Sequence, residues 1–559
     1  MKPPVHLNAT KSKAMRTFGL LIPLTLIALF LLFPVVSVLI AGFRDDNGFT
    51  TSYLWLVLKD GYYYKIFAFT LAQAILSTAL SLIIGLPVGY FFGRYTFPGR
   101  KVLMTFFTVP FVLPSVLVGM GFLTIFGEQG LFGQPLLSII LAHAFYNIPL
   151  FVHYFSAYYR NFDHNVLDAA KTLGSKGWHK LLRVYLPLFL PPILTASVLT
   201  FVFSFLSYGV VLILGALDLF RTTETQIYAE YFEHEPNIAA ILALLQTLVI
   251  FAVIIGYLFF VRKKSERRKS GKTADNPLER LGGRRFFKQP KNIALFFIFV
   301  LGLILELAPI VSIIITSFWD PHTAQFVNNF KTLFTQAITS AARISVGKAI
   351  LNTLAFATGA AVLASILALI TIAFLGRSHR KKSAVSIEML TYLPLTISSV
   401  TLSLGITQTF INAGFFANHP WLFIIISQGL LGYPFITRAL LNGLGMIDPE
   451  IIDAARTLGA KQLYKFRKIY LPLLLRSFLA GFAFALGISI GEFTTANFFA
   501  NINNNIGTLT VVLYRLRSVR LFGEANAIGV LLLVISYIAF FVLEALGARE
   551  KTGTKTWKN

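Results

Sequence analysis

Roughly twenty residues at a time, this chain runs almost without charge, and it does so about twelve times, six before residue 262 and six after residue 291. A run of that length crosses about 30 Å of hydrocarbon as a helix rising about 1.5 Å per residue. With 56% hydrophobic and only 13% charged residues, a chain of 559 residues has too little polar surface to hide these runs in water. Lipid is the solvent, and the expected class is an all-α membrane protein, since backbone in lipid must satisfy its own hydrogen bonds. Spans are expected near Phe18 to Phe43, Ile66 to Phe92, Val102 to Phe126, Leu136 to Phe155, Ile193 to Ile213 and Ile238 to Val261. The second set lies near Ile293 to Phe318, Ile350 to Phe374, Ala384 to Phe410, Trp421 to Leu440, Ser477 to Ile490 and Ala527 to Leu546. Pro110, Pro114 and Pro394 break the third span of each set, and a kink is expected there.

The surplus of 49 Lys and Arg over 24 Asp and Glu would suggest nucleic acid in a soluble protein. Here the basic residues fall in alternate loops: Arg94, Arg100 and Lys101; Lys171 to Arg183; Arg262 to Lys291; Arg377 to Lys382; Arg456 to Lys468. By the positive-inside rule these loops and both termini are cytoplasmic, no nucleic acid is implied, and the loop carrying Glu224, Glu230, Glu233 and Glu235 lies outside. The first apolar run is too long for a secretory leader and is expected to be retained as a span. Residues 262–291 hold twelve basic and three acidic residues among Ser, Gly and Pro, and are expected to be a basic cytoplasmic linker. The expected division is therefore 1–261, linker 262–291, and 292–559. Cysteine is absent, which excludes disulfides, thiolate metal sites and covalently attached haem.

The two halves are copies of one plan. DAAKTLGSKGWHKLLRVYLPL, from Asp168 to Leu188, returns as DAARTLGAKQLYKFRKIYLPL from Asp453 to Leu473. The offset of 285 holds without a gap from Pro149/Pro434 through Gly174/Gly459 to Pro187/Pro472. In the second copy Asp448 is placed to cap, Pro449 and Glu450 suit a first turn, and Asp453, Ala454 and Ala455 ride a short helix that stops at Gly459. Asp168, Ala169, Ala170 and Gly174 repeat the arrangement, and a second short helix leads to Leu186 and Pro187, or to Leu471 and Pro472. Paired alanines followed by glycine allow another backbone to come close. An amphipathic helix resting on the inner leaflet needs only a moment, not the same identities at the same spacing in both halves, so the pattern favours docking over leaflet binding.

These two segments resemble the cytoplasmic "EAA" motif in the permease subunits of ATP-binding-cassette importers, with Asp168 and Asp453 standing where the motif has Glu. The resemblance implies about twelve transmembrane helices as two six-helix halves of the type I importer permease fold. It also implies two copies of an ATPase subunit seated on the loops, an extracytoplasmic substrate-binding protein, and residence in the bacterial inner membrane. Within the family, a single chain fusing two halves is similar to the thiamine and ferric-iron permeases. LAHAFYNIPL (Leu141 to Leu150), EPNIAAILALLQ (Glu235 to Gln246) and SIGEF (Ser489 to Phe493) sit closest to the thiamine type. The expected substrate is thiamine or a related cation, or ferric iron.

A glycine-rich loop of the form G-x-x-x-x-G-K-S/T is not met: Gly271-Lys272-Thr273 has Glu266 where the first glycine belongs, and Gly347-Lys348 is followed by Ala349. The chain is expected to be no enzyme and to bind no cofactor, with ATP and Mg used by the partner ATPase. The rival class is an ion-gradient-driven twelve-span transporter; GRYTFPGRK (Gly93 to Lys101) echoes its inner loop but lacks the Asp, and the intramembrane carboxylates that proton coupling asks for are scarce, with Glu306 and Glu492 the candidates. His143, Asn147 and His153 form a polar cluster at membrane depth, read as lining a helix interface. Glu492, and Ser207 at its place in the first half, are the candidate residues of the translocation path. The competing reading pairs Glu492 with Arg515 or Arg517.

Overall fold

The computed structural model describes residues 23–549 apart from 108–109, 111–112, 127–134, 161, 163–164, 176, 216–219, 266–277, 283–285, 321–324, 376–390, 392, 411–413, 415–417, 446, 448 and 461. In chain order the first half contains α1 (Pro23–Ala41), α2 (Gly61–Arg94), α3 (Ser115–Phe126), α4 (Pro135–Arg160), α5 (Asn165–Thr172), α6 (Gly177–Lys180), α7 (Leu186–Phe205), α8 (Gly209–Leu214), α9 (Thr223–Glu233) and α10 (Pro236–Ser265). The second half repeats them as α11 (Pro290–Phe318), α12 (Val346–Leu375), α13 (Ser399–Phe410), α14 (Trp421–Gly445), α15 (Pro449–Thr457), α16 (Gln462–Lys465), α17 (Leu471–Gly491), α18 (Thr494–Ile502), α19 (Leu509–Ser518) and α20 (Phe522–Arg549). Short unlabelled helices and three two-stranded ribbons join them.

Among the described residues ten helices are long and apolar enough to cross a membrane. The third span of each half is broken as its prolines require. α3 and α13 have 12 residues each, about 18 Å of rise. Arg100–Phe106 precedes α3, and a 3₁₀ turn at Leu393–Thr396, holding Pro394, precedes α13. Elsewhere proline is absorbed differently. π turns at Ala28–Leu32, Leu181–Tyr185 and Phe466–Tyr470 come just before Pro34, Pro187 and Pro472, skipping the bond that the ring nitrogen cannot donate.

The chain forms two compact units that differ from the division along the sequence. One gathers residues 45–111 and 115–316, so that α2 to α10 pack with α11; the other gathers residues 1–44, 112–114 and 317–559, so that α12 to α20 pack with α1. The first span of each half thus belongs to the unit built from the other half. The seat is the same in both. A Cβ on Gly121 of α3 would lie 2.6 Å from the carbonyl oxygen of Pro309 in α11, and a Cβ on Gly405 of α13 would lie 2.6 Å from that of Pro34 in α1.

In the first of these units α2 packs on α4 through Gly85, Gly89 and Gly93, whose missing side chains would meet Phe151, Val152 and Ser156 within 3.2 Å. Small residues four apart let two helices touch backbone to backbone where lipid supplies no hydrophobic drive. At the end of α2, Phe91, Phe92, Tyr95 and Phe107 bury with Phe286 and Phe299. Phe286 belongs to the stretch expected to be a free linker. Residues 279–280 pair in parallel with Tyr95 and Thr96, and Glu279 meets Arg94 at 3.1 Å. The later part of the linker is therefore packed, because two phenylalanines follow the basic run and one finds the aromatic cluster; residues 266–277 lie outside the described residues.

Candidate functional site

The repeated segments fold alike. α5 ends where the Leu173 and Ser175 amides donate to the carbonyls of Ala169 and Ala170, both at 3.0 Å; α15 ends with Leu458 to Ala454 at 3.1 Å and Ala460 to Ala455 at 2.9 Å. Between them Gly174 and Gly459 take φ +79° and +74°, the left-handed geometry that closes a helix with paired bonds to its last carbonyls. Nothing lies within 4 Å of a Cβ at either glycine, so the requirement is conformational and not one of space. Asp168, Ala169, Asp453 and Ala454 are exposed, Ala170 and Ala455 half-buried. Leu186, Pro187, Leu471 and Pro472 open α7 and α17 and are exposed as well. Pro449 begins α15 as expected, while Asp448 lies outside the described residues.

The loop helices also carry bare apolar side chains, which the sequence pattern does not show. Leu173 and Leu458 are each 86% exposed, more than any other large hydrophobic side chain described, and Val166 and Ile451 are exposed one heptad earlier on the same helices. Residues seven apart share a helix face, with Ala169 or Ala454 between them. Each short helix therefore presents a bare apolar stripe, and in both halves it is the same stripe. The signal was present in the repeat, as Leu in Thr-Leu-Gly, but its exposure depends on what the rest of the chain leaves uncovered.

Ser207 and Glu492 occupy equivalent breaks. α7 stops at Phe205 and α8 restarts at Gly209, so the span expected to run to Ile213 is interrupted; α17 stops at Gly491 and α18 restarts at Thr494. Each break is tied to the second helix after it, α9 or α19. Thr222 Oγ1 donates to the Ser207 carbonyl, and Thr510 Oγ1 to the Glu492 carbonyl, both at 3.4 Å. The hydroxyls of Thr70 and Thr353 accept the Thr223 and Leu509 amides at 2.9 Å.

The side chains at the two breaks differ. The Glu492 carboxylate accepts the Thr495 amide at 3.0 and 3.1 Å, the Ala496 amide at 3.4 Å, the Thr495 hydroxyl, and Gln428 Nε2 at 3.5 Å. It caps α18, where free amides and the helix dipole favour an anion. Of the two arginines that the competing reading offered, Arg515 donates to the carbonyls of Ala342 and Ala500 and to Asn504 Oδ1, at 2.9 to 3.0 Å, and among the described residues no ion pair of Glu492 is found. Helix α18 starts two residues after Glu492, which places its free amides within reach of the carboxylate.

The acidic segment expected to be an outer loop is largely helical. It is helix α9, and Glu224 and Glu230 are buried. Tyr63 Oη and Gln226 Nε2 donate to Glu230 Oε1 at 2.9 and 2.7 Å, and Gln246 Nε2 donates to Glu224. Only Glu233 and Glu235, with Phe232 and His234, stay exposed at the turn into α10. Of the polar cluster at membrane depth, His143 and Asn147 are buried between α4 and its neighbours, and Glu306 is buried in α11.

The profile described as "Binding-protein-dependent transport system inner membrane component" matches twice, over residues 85–268 and 360–552. The chain is similar to the thiamine transport system permease protein ThiP of Escherichia coli (strain K12), 25% identical over 514 residues that cover 88% of this chain and 91% of that one. It is similar also to ThiP of Haemophilus influenzae, at 26% identity covering 86% and 89%. The ferric transport system permease protein FbpB of Actinobacillus pleuropneumoniae is 23% identical, covering 94% of this chain and 77% of that one. Two matches, one in each half and each spanning a repeated loop, set aside the ion-gradient-driven class: the chain belongs to the binding-protein-dependent transport system inner membrane components, as a fused two-half permease subunit of an ABC importer.

Proposed function

We propose that this permease carries thiamine or a related cation, or ferric iron, and is driven by two copies of a separate ATPase seated on α5 and α15. The observation that carries this reading is the bare apolar stripe, Val166 to Leu173 and Ile451 to Leu458, left open at the same positions in both halves. A short helix with an exposed apolar face needs a partner to cover it. Asp168, Ala169, Ala170 and Gly174, with Asp453, Ala454, Ala455 and Gly459, then form the contact. Leu186, Pro187, Leu471 and Pro472 join it to α7 and α17, and ATP and Mg belong to the ATPase. In this reading the loops and both termini face the cytoplasm, and a binding protein delivers substrate on the opposite side.

The translocation path is assigned to the breaks at Ser207 and Glu492. Irregular backbone at membrane depth is tolerated where it is buried in protein or lines a cavity, and Glu492 supplies the negative charge suited to a cation. The substrate class comes from the thiamine and ferric names of the relatives together with this carboxylate.

Replacing Leu173 or Leu458 with Ser tests the coupling. Each removes about 2 kcal/mol of buried apolar contact, which weakens ATPase association roughly thirtyfold, while insertion and folding are unaffected because the side chains touch little of this chain. ATPase that co-purifies undiminished with both variants would refute the docking role.

A further inference from the structure

Three helices of the first half meet at a buried polar junction just before the break at Ser207. Gln73 and Ser77 of α2, His143 and Asn147 of α4, and Thr200 and Ser204 of α7 are all 3% exposed or less. Gln73 Nε2 donates to the Ser204 carbonyl at 2.8 Å, and Asn147 Nδ2 donates to Ser204 Oγ at 3.3 Å and to the His143 carbonyl at 2.7 Å. Ser77 Oγ lies 3.5 Å from His143 Nδ1. Gln73 Oε1, Asn147 Oδ1, Thr200 Oγ1 and His143 Nε2 have no partner among the described residues. Buried polar atoms are seldom left so, and three in one hydrogen-bonded set, with Thr200 one helical turn before Ser204, is an unusual concentration.

The shared fold does not demand this polarity. Aligned on Thr70 and Thr353, the places of Gln73 and Ser77 are taken in the second half by Phe356 and Ala360; at the offset of 285, those of Asn147 and Thr200 are taken by Gly432 and Ala485. There the helices close on each other: a Cβ on Gly432 would lie 3.2 Å from the Ala485 Cβ. At these four places the junction is apolar and close-packed in the second half and polar in the first, while Gln428 and Ser489 keep polar side chains at the places of His143 and Ser204.

We propose that the first-half junction is a built hydration site, in which internal water cross-links α2, α4 and α7. The chemistry of the unpaired atoms selects the ligand. Gln73 Oε1 and Asn147 Oδ1 only accept, Nε2 accepts when Nδ1 carries the ring proton toward Ser77, and the Thr200 hydroxyl does either. The occupant must donate, and with no carboxylate in the set it is neutral. Three side-chain oxygens fall short of the six or more that a hard cation takes, whereas a buried water makes about three such bonds.

Hydroxyl-radical footprinting of the full chain in lipid nanodiscs, with H₂¹⁸O mixed in before the X-ray pulse, tests the assignment, because radicals formed from bound water oxidise the side chains that touch it. His143 is expected to be oxidised roughly tenfold more than Tyr433, which is 1% exposed in the second half, and to take up ¹⁸O later than exposed Phe49. Thr200→Val with Asn147→Leu should abolish the His143 signal; if that pair fails to fold, the isosteric Thr200→Val alone should reduce it. Oxidation of His143 no greater than that of Tyr433 overturns the proposal. So does ¹⁸O uptake as fast as at Phe49, since the water would then belong to a path open to bulk and not to a held site. A His143 signal undiminished in the folded variants overturns it as well.

Discussion

Glu492 shows how one side chain serves two demands. Its carboxylate fills the free amides at the start of α18, so its charge is stabilised without a basic partner, and the same group is the acid at the break. Glu492→Gln keeps an oxygen for the cap and is expected to cost under about 1 kcal/mol, while Glu492→Ala removes the cap and costs about 1–2 kcal/mol. If the charge serves a cation, Gln lowers uptake with the melting temperature nearly unchanged; normal uptake by this variant would remove Glu492 from the path. Gly174 and Gly459 make a smaller demand. With open space around both, Ala meets only the cost of a left-handed residue, about 1–2 kcal/mol at the loop. Transport driven by ATP is therefore expected to fall in part and not to vanish, and full coupling in both Ala variants would show that the turn itself is dispensable.

At the scale of elements, the exchange of first spans rests on two glycines. Gly121 and Gly405 bring α3 and α13 against the proline carbonyls of α11 and α1, where a methyl group has no room and the obstacle is backbone. Gly121→Ala or Gly405→Ala is expected to destabilise by about 1–3 kcal/mol, seen as a lower melting temperature in detergent. Gly347→Ala in α12 meets nothing within 4 Å and serves as the neutral comparison. Equal melting temperatures for all three would mean that α1 and α11 are not held at these seats. Part of this architecture was legible beforehand: the prolines mark the broken third spans, and Gly174 and Gly459 mark the ends of α5 and α15. The exchange was not, because a lipid-facing position and a helix-facing one are both apolar, and only the close approach of Gly121 to Pro309, far away in sequence, tells them apart.

At the scale of the whole molecule, the turn between α9 and α10 is where the proposed delivery by a binding protein is tested. Glu233 and Glu235 are exposed, whereas Glu230 is locked to Tyr63 and Gln226. Reversing Glu233 and Glu235 to Lys is expected to leave folding intact and weaken crosslinking to a binding protein. Reversing Glu230 strands a cation in a buried network at a cost of about 3–5 kcal/mol and lowers expression instead. Unchanged crosslinking and uptake in the first variant would make this turn a solvated surface only.

Sequence alone determined the helical membrane class, the two copies of one plan and the shape of the repeated loops. Those depend on periodicity, capping and glycine geometry, which act over a few neighbouring residues and appear wherever the same residues recur. Tertiary structure decided what covers what: the seats of α1 and α11, the burial of Glu224 and Glu230, the capping partner of Glu492, and the bareness of Leu173 and Leu458. Each is a matter of which distant surface arrives at a given face. No local pattern carries that information, because the free energy that settles it comes from packing between segments that the sequence holds far apart.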